Sequence, residues 1–216
     1  MGKNRMKFSL RPMRLKAFSF MALLVLAVLA VAGVEQASMP EGKNISKAAS
    51  DSCVAKLKRL EESSASVPGS RKQTIEFSES EINSYLAFEL SKNYHPSLKS
   101  LSITIEESKL RGVASIDFDS LAMSSKSVLT TLMTKMFSGI HTLAVRGKLV
   151  AAEGKGSFQV EEAHFDDSAL PSFLVEEIIS AVGRKQKPPF DPLQPSKLPY
   201  GIQSVELHPG RAIVRQ

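Results

Sequence analysis

An apolar run of about 17 residues, Phe18 to Val34, follows directly on residues 1–17, which carry Lys3, Arg5, Lys7, Arg11, Arg14 and Lys16 and no acid. A stretch of that length can be a secretory signal, a single membrane span or a buried core helix. Six cations directly before the run suit a membrane flank and not a globular interior, which sets the core helix aside. Ala30-Val31-Ala32 and Val31-Ala32-Gly33 offer small-x-small cleavage sites, so the run can be cut or can stay as an anchor. The anchor is preferred, because Glu35-Gln36 follow without a strong cleavage signal. Whatever follows is then expected in the cell envelope, on the extracytoplasmic (periplasmic) side of the cytoplasmic membrane.

Charge supports this. The chain has 28 basic and 22 acidic residues, and without the six leading cations 22 of each sign remain. The basic excess belongs to the targeting segment, and no cationic run remains to meet a phosphate backbone, so nucleic acid is not an expected partner. Cys53 is the sole cysteine, which excludes an intramolecular disulfide and predicts a half-exposed bystander or, less simply, an intermolecular bridge.

Beyond the run the pattern divides into a small, polar tether with a short helix over 35–71 and one domain over 72–216. Within the tether, Val54, Leu57 and Leu60 space a helix across 52–62, and Pro68-Gly69 ends it. Thr74-Ile75-Glu76-Phe77 alternates as a strand, and Ser78 with Glu81 forms a capping box before Ile82, Tyr85, Leu86 and Leu90, predicting a helix over 79–92. Leu101, Ile103 and Ile105 alternate before Glu107-Ser108, and residues 109–119 alternate after it, predicting a hairpin. Residues 122–138 fit a helix started by Ser124 or Ser125 and stopped by Gly139. A second hairpin turns at residues 152–156. Pro171 opens a helix whose apolar face is Leu174, Ile178 and Val182. A proline-rich connector, Pro188 to Pro199, precedes a last hairpin around His208-Pro209-Gly210. Strands joined by short turns pair antiparallel. The expected class is α+β: a curved antiparallel sheet of about six to seven strands packed against two or three helices.

Chemistry is harder to find. His95, His141, His164 and His208 are scattered with no i, i+4 pair, and Asp166-Asp167 beside His164 reads as a solvated loop, so no metal site is expected. Adjacent carboxylates at Glu106-Glu107, Glu161-Glu162 and Glu176-Glu177 face opposite sides of a strand and do not converge as acid and base. Gly-x-Ser-x-Gly is absent, and Gly154-Lys155-Gly156 lacks the residues of a phosphate loop. No enzyme activity, catalytic residue or cofactor is expected. What the chain offers is aliphatic surface, with Met123, Met133, Met136 and Phe137 as adaptable side chains. An apolar groove lined by Val128, Leu132, Met136, Ile178 and Val182 is the candidate ligand site, with ordinary core as the competing reading.

Phe77-Ser78-Glu79-Ser80-Glu81-Ile82-Asn83-Ser84-Tyr85-Leu86 and Leu198-Pro199-Tyr200-Gly201-Ile202 resemble elements of small, membrane-anchored bacterial extracytoplasmic domains of uncharacterised function. Some of these resemble BPI-like tubular lipid-binding proteins, in which a curved antiparallel sheet wraps a long helix. The likeness covers residues 74–215 and carries no catalytic residues. It implies a non-enzymatic envelope protein that binds lipid or another apolar ligand near the membrane. The alternative is a protein-interaction module of an envelope complex with a closed core. The membrane, lipid and envelope proteins are the expected partners.

Overall fold

The computed structural model describes residues 44–65, 72–93, 97–120, 138–171, 173–176, 179–180 and 191–216. The apolar run lies outside them. Among the described residues no helix is long and apolar enough to cross a membrane.

The first helix, α1, spans Lys47–Ala65. It begins five residues before the helix expected from Ser52, because Ser46 caps it: the Ser46 hydroxyl accepts the Ala49 N–H at 3.1 Å. Ser50, Cys53, Leu57 and Leu60 form its buried stripe at helical spacing. Cys53 is fully buried, not half-exposed, because it lies on the stripe that packs into the common core. Burying Leu57 and Leu60 contributes about 1.5–3 kcal/mol each, a tie that a loose tether would lack.

Strand β1, Thr74–Ser78, leads directly into α2, Glu79–Tyr85. Ser78 caps α2 in a full capping box, its hydroxyl accepting the Glu81 N–H while the Glu81 carboxylate accepts the Ser78 N–H. The helix continues through a π-helical turn, Leu86–Leu90, and a 3-10 turn, Ser91–Asn93. Ile82, Tyr85, Leu86 and Leu90 all face inward, as their spacing predicts.

The main sheet holds β2 (Leu98–Glu106), β3 (Lys109–Asp117), β4 (Ile140–Ala152) and β5 (Lys155–Phe165) in that order, with the short β6 (Ser168–Ala169) and β7 (Ser196–Lys197) both pairing β5. Every pairing is antiparallel. The β4–β5 turn is Glu153-Gly154, with both residues at positive φ (53° and 72°) as a tight two-residue hairpin requires. Its inner face is apolar, with Ile103, Ile105, Leu110, Ile116, Leu143, Val145, Leu149 and Phe158 buried.

The last hairpin, β8 (Ser204–His208) and β9 (Arg211–Arg215), does not extend this sheet. It takes up β1 instead, giving a second sheet in the order β1-β9-β8. Ile75, Phe77, Val205, Leu207, Ala212 and Val214 line one buried face of it, and β8 packs against β2 and β4. Both sheets, α1 and α2 share a single hydrophobic core. The architecture is α+β and antiparallel, with its strands divided between two sheets.

Residues 118–120, just after β3, are helical, and Asp117 caps them by accepting the Asp119 and Ser120 N–H groups at 3.0 and 3.1 Å. The helix expected over 122–138, with its start at Ser124 or Ser125, lies outside the described residues but for Ser138. Residues 173–176 and 179–180 are helical, but Val175 and Ile179 are the buried pair and Leu174 is half-buried. The buried stripe there is displaced by one residue from the Leu174-based expectation.

Candidate functional site

Val128, Leu132, Met136, Ile178 and Val182, the expected groove lining, all lie outside the described residues. The chain around them is described. Phe118 donates its N–H to the Gly139 carbonyl at 2.9 Å and Gly139 donates to Asp119 Oδ2 at 3.1 Å, which ties the two ends of the 121–137 segment together. Ile140 and Phe173 expose 64 % and 65 % of their surface, the two most exposed large apolar side chains among the described residues.

The Phe77–Leu86 segment can be followed atom by atom. Phe77, Ile82 and Leu86 are core. Glu81 joins α2 to α1: it accepts from Ser52 Oγ at 2.5 Å and Lys56 Nζ at 2.7 Å besides the Ser78 N–H at 2.8 Å. Burial works to raise its carboxyl, and the bonds from Lys56, Ser52 and Ser78 outweigh it, so it stays below the ordinary carboxylate value. Lys56 also donates to the Glu76 carbonyl at 2.7 Å, on the outer side of β1.

Asn83 performs a different task. It is 1 % exposed, and its side chain copies a neighbouring strand: Nδ2 donates to the Ile103 carbonyl and Oδ1 accepts the Ile103 N–H, both at 2.8 Å. Glu79 Oε2 accepts the Ile105 N–H at 2.7 Å, and Gly210 donates to the Ile105 carbonyl at 2.9 Å. The outward edge of β2 is therefore closed at Ile103 and Ile105 by α2 and the β8–β9 turn, where an open edge would invite a second chain. Glu79, Glu81 and Asn83 thus fasten α2 to β2 and to α1.

On the outer face of the main sheet, the pairing of β4 with β5 shifts between Arg146 and Gly147. This bulge puts both Glu161 and Glu162 on the exposed face, which corrects the expectation that adjacent carboxylates on a strand point apart. Arg146 gathers them: it donates to Glu106 Oε2 at 2.7 and 2.8 Å and to Glu162 at 3.1 Å, with Glu161 at 4.0 Å, while Lys109 pairs Glu161 at 2.6 Å. With two cations interleaved, the three carboxylates are a salt-bridge network and not an acid and base pair.

A second polar cluster was not legible in the sequence. Asp166 does not pair with its neighbour His164; it pairs with His141, Oδ2 to Nδ1 at 2.7 Å. Asp166 Oδ1 accepts the Thr142 N–H at 2.8 Å, and the Asp166 N–H donates to the Thr142 carbonyl at 2.7 Å. The second ring nitrogen, Nε2, meets the Ser138 carbonyl at 2.9 Å. The imidazole stacks on Phe165 with centroids 5.0 Å apart and meets Phe118 edge-on at 5.5 Å. The signal that could have revealed it is the register of the β4–β5 hairpin, which brings residue 166 beside Thr142 once the bulge is counted. Among the described residues no group of three or more His, Cys, Asp and Glu is placed to hold a metal ion.

Cys53 and two tyrosines complete the inventory. Burial pushes the Cys53 thiol up to about 12 and the Tyr85 hydroxyl up to about 12. Tyr200, in the Pro199–Gly201 turn, holds φ at 55° and is buried against α1, with its hydroxyl also pushed up by burial. All three groups are held in the neutral form at neutral pH.

Comparison with known protein families, with characterised proteins and with solved structures finds no match to this chain.

Proposed function

We propose that the protein is a non-enzymatic envelope protein, held at the membrane by residues 18–34, that binds lipid or another apolar ligand. The observation that carries the reading is how the polar side chains are engaged: Glu79, Glu81 and Asn83 clamp α2, and Arg146 with its carboxylates braces the sheet. Together with an apolar run fit for a membrane, this leaves greasy surface as what the fold offers a ligand. The resemblance to BPI-like tubular lipid-binding proteins points the same way. The proposed lining is Val128, Leu132, Met136, Ile178 and Val182, placed by sequence pattern alone.

The test uses the full chain in mild detergent with a fluorescent phospholipid. Leu132→Gln with Met136→Gln should lower binding by more than the accompanying loss of stability explains. A protein that binds no lipid, and merely unfolds on these changes, turns the residues into plain core. The second reading, an interaction module of an envelope complex, is favoured by the exposed Ile140 and Phe173. A stoichiometric protein retained through native mass spectrometry, without lipid, would select it.

A further inference from the structure

We propose that His141 is a proton-dependent latch: its doubly protonated ring ties the start of β4 to the β5–β6 turn, and loss of one proton releases one of its two ties. The inference is independent of the lipid-binding reading. It follows from what faces the ring. Nδ1 meets the Asp166 carboxylate at 2.7 Å and Nε2 meets the Ser138 carbonyl at 2.9 Å, and both partners can only accept. A neutral imidazole has one N–H and satisfies one of them; the imidazolium has two and satisfies both.

The surroundings favour that state. Asp166 is oriented by its own bond from the Thr142 N–H, so its carboxylate is fixed on Nδ1 before the proton arrives. Asp119, just beyond β3, adds a second negative field. Asp117, opposite Ile140, is occupied by Lys99 and Ser120. Phe165 stacks on the ring and Phe118 meets it edge-on, and neither supplies a competing donor. The bond to Asp166 is the largest cause holding the imidazole above its ordinary value of 6.5, opposed by partial burial and assisted by the Ser138 carbonyl. Asp166 is held below 3.8, first by the Thr142 N–H and then by His141.

The signs fix the window. His141 contributes stability that is complete below its unfolded value of 6.5 and lost as pH rises through its higher folded value. Asp166 contributes stability present above 3.8 and lost as pH falls through its lower folded value. The latch is closed between these limits and opens on the alkaline side.

The experiment is a pH titration of the full chain in detergent with its four histidines isotope-labelled, the His141 signal being assigned through His141→Gln. The His141 midpoint should lie above 6.5 and fall in Asp166→Asn, an isosteric change whose side chain tolerates the left-handed φ of 51° at that position. Amide exchange at Thr142, corrected for intrinsic rate, should accelerate above the midpoint in the native chain and lose that step in Asp166→Asn. A His141 midpoint at or below 6.5, or one that Asp166→Asn leaves in place, overturns the latch. So does a Thr142 exchange rate with no step at the His141 midpoint.

Discussion

Replacing Asn83 by alanine tests the clamp between α2 and the main sheet more severely than any other single change. The side chain is 1 % exposed and bonds both the N–H and the carbonyl of Ile103 on the outward edge. Asn83→Ala withdraws both at once. A buried backbone group deprived of its partner costs about 1–3 kcal/mol, so two give about 2–5 kcal/mol after some relaxation. Against a domain stability on the order of 5–15 kcal/mol, this is a large fraction. Ser78→Ala, which removes only a partly exposed cap, should cost about 0.5–2 kcal/mol and serves as the internal reference. The measurement is urea unfolding of the full chain in mild detergent, followed by far-UV circular dichroism, comparing midpoints at constant slope. A second readout is independent of stability: with its edge opened, β2 should recruit another chain, and size-exclusion chromatography should show self-association absent from the native protein. The reasoning fails if Asn83→Ala costs no more than Ser78→Ala and the variant stays in the native association state.

Two further outcomes follow from packing. Cys53, buried and with its thiol pushed up to about 12, should resist thiol-directed labelling at neutral pH until the protein unfolds, so that labelling tracks unfolding in urea; rapid stoichiometric labelling of the native protein would contradict its place in the core. Gly147→Ala should destabilise by about 1–3 kcal/mol or more in a thermal melt, since the new Cβ would lie 2.2 Å from the Gln159 carbonyl oxygen and 2.6 Å from the Phe158 ring; a variant as stable as the native chain would show that the strands spread freely there.

The hairpins were readable because each rests on local information: alternation on both arms and a turn that fits between them. Ile103 and Ile105 face inward as their spacing requires, and the capping box at Ser78 and Glu81 is where the pattern put it. What escaped depends on distance or on a single inserted residue. The β1 strand alternates equally well with any antiparallel partner, and nothing in Ile75 or Phe77 selects β9 over β2. The bulge at Glu161 and Glu162 reverses the facing of one residue, and the glycine that marks it, Gly147, stands on the opposite strand and not on the bulged one. Val175 and Leu174 are adjacent and both apolar, so periodicity could not choose which one points inward. His141 and Asp166 meet only because the hairpin carries them together from 25 positions apart. The groove lining was argued from helical spacing alone and lies outside the described residues.

The pairing of β1 with β9 sets an order of events. Thr74 lies opposite Arg215, the Gln216 N–H donates to the Gln73 carbonyl at 3.0 Å, and the Gln216 side chain reaches back 156 positions to the Leu60 carbonyl at 2.8 Å. A chain made N-terminus first on a ribosome has presented α1, the β1 segment and the main sheet before β9 exists. Until then β1 lacks its only partner strand among the described residues, and Ile75 and Phe77 have no finished face to close on. Closure of the small sheet therefore follows that of the main sheet, slowed by the loop entropy of joining β1 to a strand so far along the chain.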